Sequence, residues 1–278
     1  MPNTIADLIE HRFGLPSDAG REMPADGTLA QLLRHRTHRR YTDAPVADDL
    51  LQVLLACAFS APSKSDLQQA SVVLVRDARK RQTLADLIPS MPWIGAAPVF
   101  MVFCGDNRRI RRICEMRGRP FAHDSLDSFM NAAVDAGLVM QSFIVAAEAA
   151  GLGCCPISVL RNHIDAVAAL LELPDGVFPL AGLCVGVPVQ EGHVSLRLPP
   201  TATVHTDRYD DSDLPAAVDG YDRRRDARYS VPPEKQRHVE DYGVADFYGW
   251  SEDKARQVSR PERMQLRDYL ERHGFALR

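Results

Sequence analysis

The chain has 278 residues, 45% of them hydrophobic, enough for a substantial core and a length that suits one domain with an extension. A formal net charge of -4 and a pI near 6.1 argue against nucleic acid as main partner, despite arginine runs at Arg108–Arg112 and Arg223–Arg228. Residues 1–11 lack the basic start and apolar run of an export signal, and 93–104 and 132–152 are too short or too interrupted to span a bilayer, so a soluble, cytoplasmic chain without a membrane partner is expected.

In chain order, residues 1–27 read as a helix and a Gly/Pro/Asp-containing linker, and Thr28–Arg36 reads as the first helix of the main body. At its end lies His35-Arg36-Thr37-His38-Arg39-Arg40-Tyr41, which crowds positive charge and a hydroxyl onto one short bend. Arg36 and Arg39 can make forked bonds to phosphoryl oxygens, Thr37 can donate its hydroxyl, and backbone N–H groups at a segment end can complete a phosphate nest. A solvated charged helix end has the same composition. Asp48–Ser60 has helical apolar spacing and stops before Pro62. Ser63–Gln68 is then a turn, Ser71–Val75 a buried strand, Ala78–Ile88 a surface helix, and Val99–Cys104 a continuous apolar strand suited to the centre of a sheet.

Ser125–Ala150 is the longest periodic segment, and its apolar face is too broad for a one-sided surface helix. Asn162 is placed to cap a helix over His163–Glu172, and Leu180–Val187 reads as another buried strand. Asp207–Glu240 is charged and turn-rich and reads as a mobile excursion or short helices. Ser259-Arg260-Pro261-Glu262 has the pattern of a capping box opening a last helix, with Gly274 at its C-terminal stop. The six cysteines lie mostly in apolar runs, without metal or disulfide-framework spacing; the vicinal Cys154-Cys155 invites a redox reading, but adjacent cysteines meet disulfide geometry only with strain. The scattered histidines likewise suggest no metal. Helices alternating with buried strands indicate a layered α/β fold, and there is neither a Gly-x-Gly-x-x-Gly fingerprint nor a Walker loop, so a nucleotide-type phosphate would have to be held by side chains.

Four segments in order carry a resemblance: His35–Tyr41, Ala61–Gln68, Gly151–Asn162 and Leu196–Pro199, with the strand 180–187 between the last two. Together they resemble the FMN-dependent nitroreductase family, most of all its NADPH-dependent oxygen-insensitive nitroreductases and flavin reductases with a C-terminal extension. The resemblance implies a three-layer sandwich with a central mixed sheet in an intertwined homodimer. It divides the chain into an N-terminal helix and linker (1–27), an FMN-binding domain (28–206) and an extension (207–278).

It also implies bound FMN, with NADPH or NADH as co-substrate, and ping-pong hydride transfer through flavin N5 to a nitroaromatic, quinone or similar small acceptor. The positions implied to hold FMN are His35, Arg36, Thr37, Arg39 and Arg197 around the phosphate and ribityl chain, Ser63, Lys64, Ser65 and Gln68 from the partner subunit or the ribityl side, and the backbone at Pro156, Ile157 and Ser158 against the ring. The cofactor carries the chemistry, so no catalytic residue is named. Arg223, Arg225, Arg228 and Arg237 are candidates for the nicotinamide nucleotide.

Two departures stand out. Ser158 and Val159 replace two glycines common in the family, and Ser195 stands where a lysine often lies near flavin N1 and O2, with Lys64 a candidate substitute. A flavin carrier or regulator on the same fold, or another flavin reaction such as dehalogenation or enone reduction, are the alternatives.

Overall fold

The computed structural model describes residues 2–278. Its elements in chain order are α1 (Ile5–Phe13), α2 (Gly27–Arg34), α3 (Asp48–Phe59), β1 (Ala70–Leu74), α4 (Ala78–Leu87), α5 (Trp93–Ala96), β2 (Val99–Asp106), α6 (Arg108–Met116), α7 (Leu126–Ala149), β3 (Gly153–Ile157), α8 (Ile164–Leu170), β4 (Val177–Gly186), α9 (Leu214–Arg228), α10 (Val239–Tyr242), α11 (Trp250–Val258) and α12 (Leu266–Arg272). They divide into two compact units, one of residues 36–192 with 263–278, the other of residues 1–35 with 193–262.

The larger unit contains the sheet, ordered β1-β2-β4-β3 with every neighbouring pair antiparallel. Among the described residues the one parallel pairing is the isolated bridge between Thr37 and Cys154. β2 and β4 take the centre because nearly every residue in them is buried, as their continuous apolar runs require. Gly105 is dictated by packing: a Cβ there would stand 2.3 Å from the Phe178 ring.

Helices α3 and α7 cover one face. Leu51, Leu54 and Ala58 meet Ala136, Val139, Phe143 and Ile144 over Met101, Phe103, Leu183 and Val185. On the other face Leu84, Ile94, Leu160 and Val167 pack over Phe100, Val102, Cys155 and Cys184. Each fully buried Leu or Phe side chain contributes about 1.5–3 kcal/mol of transfer free energy. Cys154 belongs to the first cluster and Cys155 to the second, so the vicinal thiols point to opposite faces, as consecutive strand residues must. All six cysteines are free.

By length and composition α7 could cross a membrane. Its buried Ser128 and Asp135 and its apolar contacts with α3 and the sheet give it instead the environment of a core helix. The helix leaves Leu126, Met130, Val134 and Leu138, spaced four apart, 38–54% exposed in one stripe.

Three local expectations fail. Ser259 closes α11, its hydroxyl donating to the Arg256 carbonyl at 2.8 Å, and the last helix begins only at Leu266. Its start is set by docking, because Tyr269, Leu270 and Phe275 pack with Ala132, Ile164 and Phe178. Gly274 does follow the helix end, with φ +80°. Asn162 caps nothing: residues 158–163 form a 3-10 turn before α8, and the Asn162 amide oxygen accepts from Arg263 Nε at 2.9 Å. Within 207–240 lies a regular helix of 15 residues, α9, that buries Tyr221 and Asp222.

In the smaller unit, α1 opens on a reciprocal capping box between Thr4 and Asp7 and packs Ile5 and Leu8 against Ala30 of α2. The N–H groups of Asn3 and Thr4 hold the Asp7 carboxyl below its ordinary pKa. Arg12, 5% exposed, donates to the carbonyls of Leu33, His35 and Ser195 and so ties three segments together.

Candidate active site

The segment from Arg36 to Thr42 lies along the outer edge of β3. His38 N donates to Cys154 O at 2.9 Å, and the His38 ring covers Gly153, where a Cβ would come within 2.7 Å of it. On its other side Thr42 N donates to Val187 O at 2.9 Å and Val189 N to Arg40 O at 3.2 Å. The segment is therefore fastened by backbone bonds at both ends, which fixes where its side chains emerge.

Arg36 turns to the 191–192 bend: its Nη1 lies 2.9 Å from a Glu191 carboxylate oxygen and donates to the carbonyls of Glu191 and Gly192. Thr37 is exposed. Arg39 is exposed and lays its guanidinium over the Trp93 ring, 5.7 Å from the centroid. Tyr41 donates to His38 O at 2.5 Å, and burial first, then the neighbouring thiols, pushes its pKa up. Burial likewise raises the Cys155 thiol, opposed by the Arg39 guanidinium.

β3 runs on from this segment. Pro156 and Ser158 are exposed while Ile157 is buried at 1%, so the strand end offers an open face made of Pro156, Ser158 and backbone, with the Ile157 side chain turned into the core. Neither Ser158 nor Val159 has a positive φ, so the missing glycines are not demanded by conformation. Val159 packs against the core and only the Ser158 hydroxymethyl is added to the open face.

Ser63, Lys64, Ser65 and Gln68 form a second group elsewhere. They lead into β1, at the opposite edge of the sheet from β3, which is three strand spacings or about 14 Å away. Ser65, Asp66 and Gln68 all have φ between 50° and 56°, a left-handed conformation that costs of order 1–3 kcal/mol for each non-glycine residue. What holds the loop is Asp135 of α7, 1% exposed, which accepts from Ser63 Oγ, Lys64 N and Gln69 N, each at 3.0 Å. Ser63 Oγ also accepts from Gln68 N at 2.7 Å, so this hydroxyl serves the loop itself. Arg109 adds bonds to the carbonyls of Gln68 and Ala70, to Ser71 Oγ and to Asp106. Lys64 is exposed, its ammonium 3.2 Å from Ser65 Oγ. A cavity of about 290 Å³ opens beside the loop, lined by Phe59, Pro62, Ser63, Gln68, Arg109 and Val139 among others.

Residues 32–187 match the nitroreductase family, and residues 195–278 match the C-terminal domain of the same family. The chain belongs to the nitroreductase family. It is 33% identical over 255 residues to "FMN reductase [NAD(P)H]" of Bacillus subtilis, covering 89% of this chain and 97% of the relative. It is 32% identical to the "oxygen-insensitive NADPH nitroreductase" of Salmonella typhimurium, covering 90% and 99%. Among solved structures, the Vibrio harveyi NADPH:FMN oxidoreductase complexed with NAD+ superposes with a TM-score of 0.79 at 31% identity, covering 91% of this chain and all of that one.

Of the positions the nitroreductase resemblance singles out, Arg36, Thr37, Arg39, Pro156, Ile157 and Ser158 are gathered at the β3 edge and Ser63, Lys64, Ser65 and Gln68 at the β1 edge. His35 and Arg197 belong to the smaller unit, where His35 ends α2 and Arg197 N donates to Arg12 O at 3.0 Å. Of the extension's arginines, Arg223 pairs with Asp219, Arg237 with Asp253, and Arg228 donates to His11 O. Asp135, Arg109, Arg12 and Trp93 were not singled out from sequence. Asp135 had the one available signal, a carboxylate in the middle of an apolar helix.

Proposed function

We propose that this chain is an FMN-dependent NAD(P)H oxidoreductase that reduces nitroaromatics, quinones or similar small acceptors, working as a cytoplasmic homodimer. The observation that carries the reading is the β3 edge: two guanidinium groups and a hydroxyl on one fastened segment, beside an exposed strand end. A phosphate monoester takes charge-assisted donors of that kind, and a planar ring system needs an open backbone face. Arg36, Thr37 and Arg39 would hold the phosphate end and the backbone at Pro156–Ser158 would border the ring; His35 and Arg197 are FMN-binding positions by the family resemblance. When bound, FMN supplies two-electron transfer between a reduced nicotinamide nucleotide and the acceptor. The relatives named above as NAD(P)H- or NADPH-dependent support that pairing.

The homodimer has two supports. The Ser63–Gln68 loop stands at the far edge of its own sheet, so a second copy's loop is the one suited to join Lys64 and Ser65 to an FMN at the β3 edge. The exposed apolar stripe of α7 supplies a self-complementary surface for that copy.

The purified protein should be yellow and release FMN. Arg39→Ala should weaken FMN binding roughly ten- to a hundredfold, since a charge-assisted hydrogen bond is worth about 1.5–3 kcal/mol, and excess FMN should restore NADPH:quinone activity. A colourless protein that takes up no added FMN refutes the reading; light scattering that finds a stable FMN-bound monomer refutes the dimer.

A further inference from the structure

Trp93 lies between the segments Ala61–Gln68 and Gly151–Asn162, and the reaction proposed above does not use it. It opens the single-turn helix α5, with Pro92 before it and its neighbour Ile94 fully buried. Its backbone carbonyl accepts from Cys184 Sγ at 3.8 Å, and its ring packs among the apolar side chains on the α4 and α8 face of the sheet. One feature sets it apart from a simple packing residue: the indole Nε1 is buried without a regular hydrogen-bond partner, which costs free energy in a folded protein and calls for an explanation. The indole N–H bears on the sulfur of Cys155, and so does the Arg39 guanidinium. The indole face in turn lies under that guanidinium, 5.7 Å from ring centroid to Cζ.

Arg39 is thus an exposed side chain seated on the indole face and the thiol sulfur of Cys155, with no carboxylate partner among the described residues. This differs from Arg36, which is turned to Glu191. A long arginine side chain loses conformational freedom when it binds an anion, and a cation–π contact that already restricts it reduces that loss. With its N–H toward the Cys155 sulfur, the indole presents its face to the guanidinium.

We infer that Trp93 is a positioning residue for Arg39, holding its guanidinium preorganised at the β3 edge, and that it thereby sets the affinity for FMN without touching the reacting atoms. The inference rests on the FMN reading of that edge.

The test is a double-mutant cycle on the full chain, reading the FMN dissociation constant by quenching of FMN fluorescence, for wild type, Trp93→Leu, Arg39→Ala and the double variant, with Trp93→Phe as the conservative control. Trp93→Leu should weaken binding about two- to fivefold, the size of an exposed to partly buried cation–π contact. Trp93→Phe should restore most of the loss because it keeps an aromatic face. In the Arg39→Ala background Trp93→Leu should cause no further weakening, since the group it positions is gone.

Native affinity in Trp93→Leu, or the same loss with and without Arg39, overturns the inference and makes Trp93 a packing residue. If leucine destabilises the fold, Trp93→Met carries the cycle with a more adaptable side chain and no aromatic face. Wild-type protein that binds no FMN overturns the cofactor reading and this inference together; FMN bound tightly and indifferent to Trp93 overturns this inference alone.

Discussion

The carboxylate of Asp135 offers the sharpest test of how the Ser63–Gln69 loop is held. It accepts from Ser63 Oγ, Lys64 N and Gln69 N at 3.0 Å each, and the Gln69 contact is wholly buried. In Asp135→Ala both backbone N–H groups lose their acceptor while the Ser63 hydroxyl can rotate elsewhere. At about 1–3 kcal/mol for each buried donor left unsatisfied, and with partial access of water at Lys64, the loss should be about 3–5 kcal/mol. Asp135→Asn keeps one acceptor oxygen, so one N–H is stranded and the cost should be about 1–3 kcal/mol.

The melting midpoint should fall accordingly, by about 2–3 °C per kcal/mol for a chain of this size, with Ala below Asn below wild type. Amide exchange at Lys64 and Gln69 should accelerate more than exchange in β2, because the three left-handed residues of the loop lose what constrains them. FMN affinity should drop in parallel if the loop reaches a flavin. An Asp135→Asn protein with wild-type midpoint and wild-type protection at Gln69 would refute the reasoning.

Three further outcomes are expected. Glu191→Gln should tighten FMN binding a few-fold, because the Glu191 carboxylate 2.9 Å from Arg36 both engages that guanidinium and repels a phosphate; unchanged or weaker binding in titration would count against Arg36 as a phosphate ligand. A thiol reagent on native protein should label exposed Cys57 quickly and partly buried Cys114 slowly. Cys104, held up at about 12 by burial, and Cys154, Cys155 and Cys184, raised first by burial, should react only on unfolding; rapid labelling of more than two thiols by mass spectrometry would contradict this. Because the Asp7 pKa is depressed below 3.8 by the N–H groups it accepts from, its support of α1 is complete above pH 3.8 and is lost as pH falls through the depressed value. Amide exchange in α1 should show that acid-side loss in wild type and not in Asp7→Asn, and identical profiles would refute it.

The sequence by itself determined the elements whose burial is continuous or strongly periodic. The run 99–104 reads as a strand suited to the centre of a sheet and 125–150 as a long helix with a broad apolar face, and both are found as β2 and α7, because side-chain period and burial are coupled within a few residues. The basic segment around Arg36 and Arg39 was equally visible, since the residue types that can take a phosphate lie within four positions. Local rules failed where tertiary packing outweighs a cap worth about 1 kcal/mol: α12 starts where Tyr269, Leu270 and Phe275 reach the core, and the capping pattern at Ser259 is passed over. Only the tertiary structure separated the two groups of candidate FMN residues to opposite edges of one sheet, because strand order is decided by which strands must be buried. It alone disclosed Asp135 under the 63–69 loop, Arg12 gathering three carbonyls and Trp93 beneath Arg39, contacts that span 54 to 183 positions at their widest and leave no trace in any local pattern.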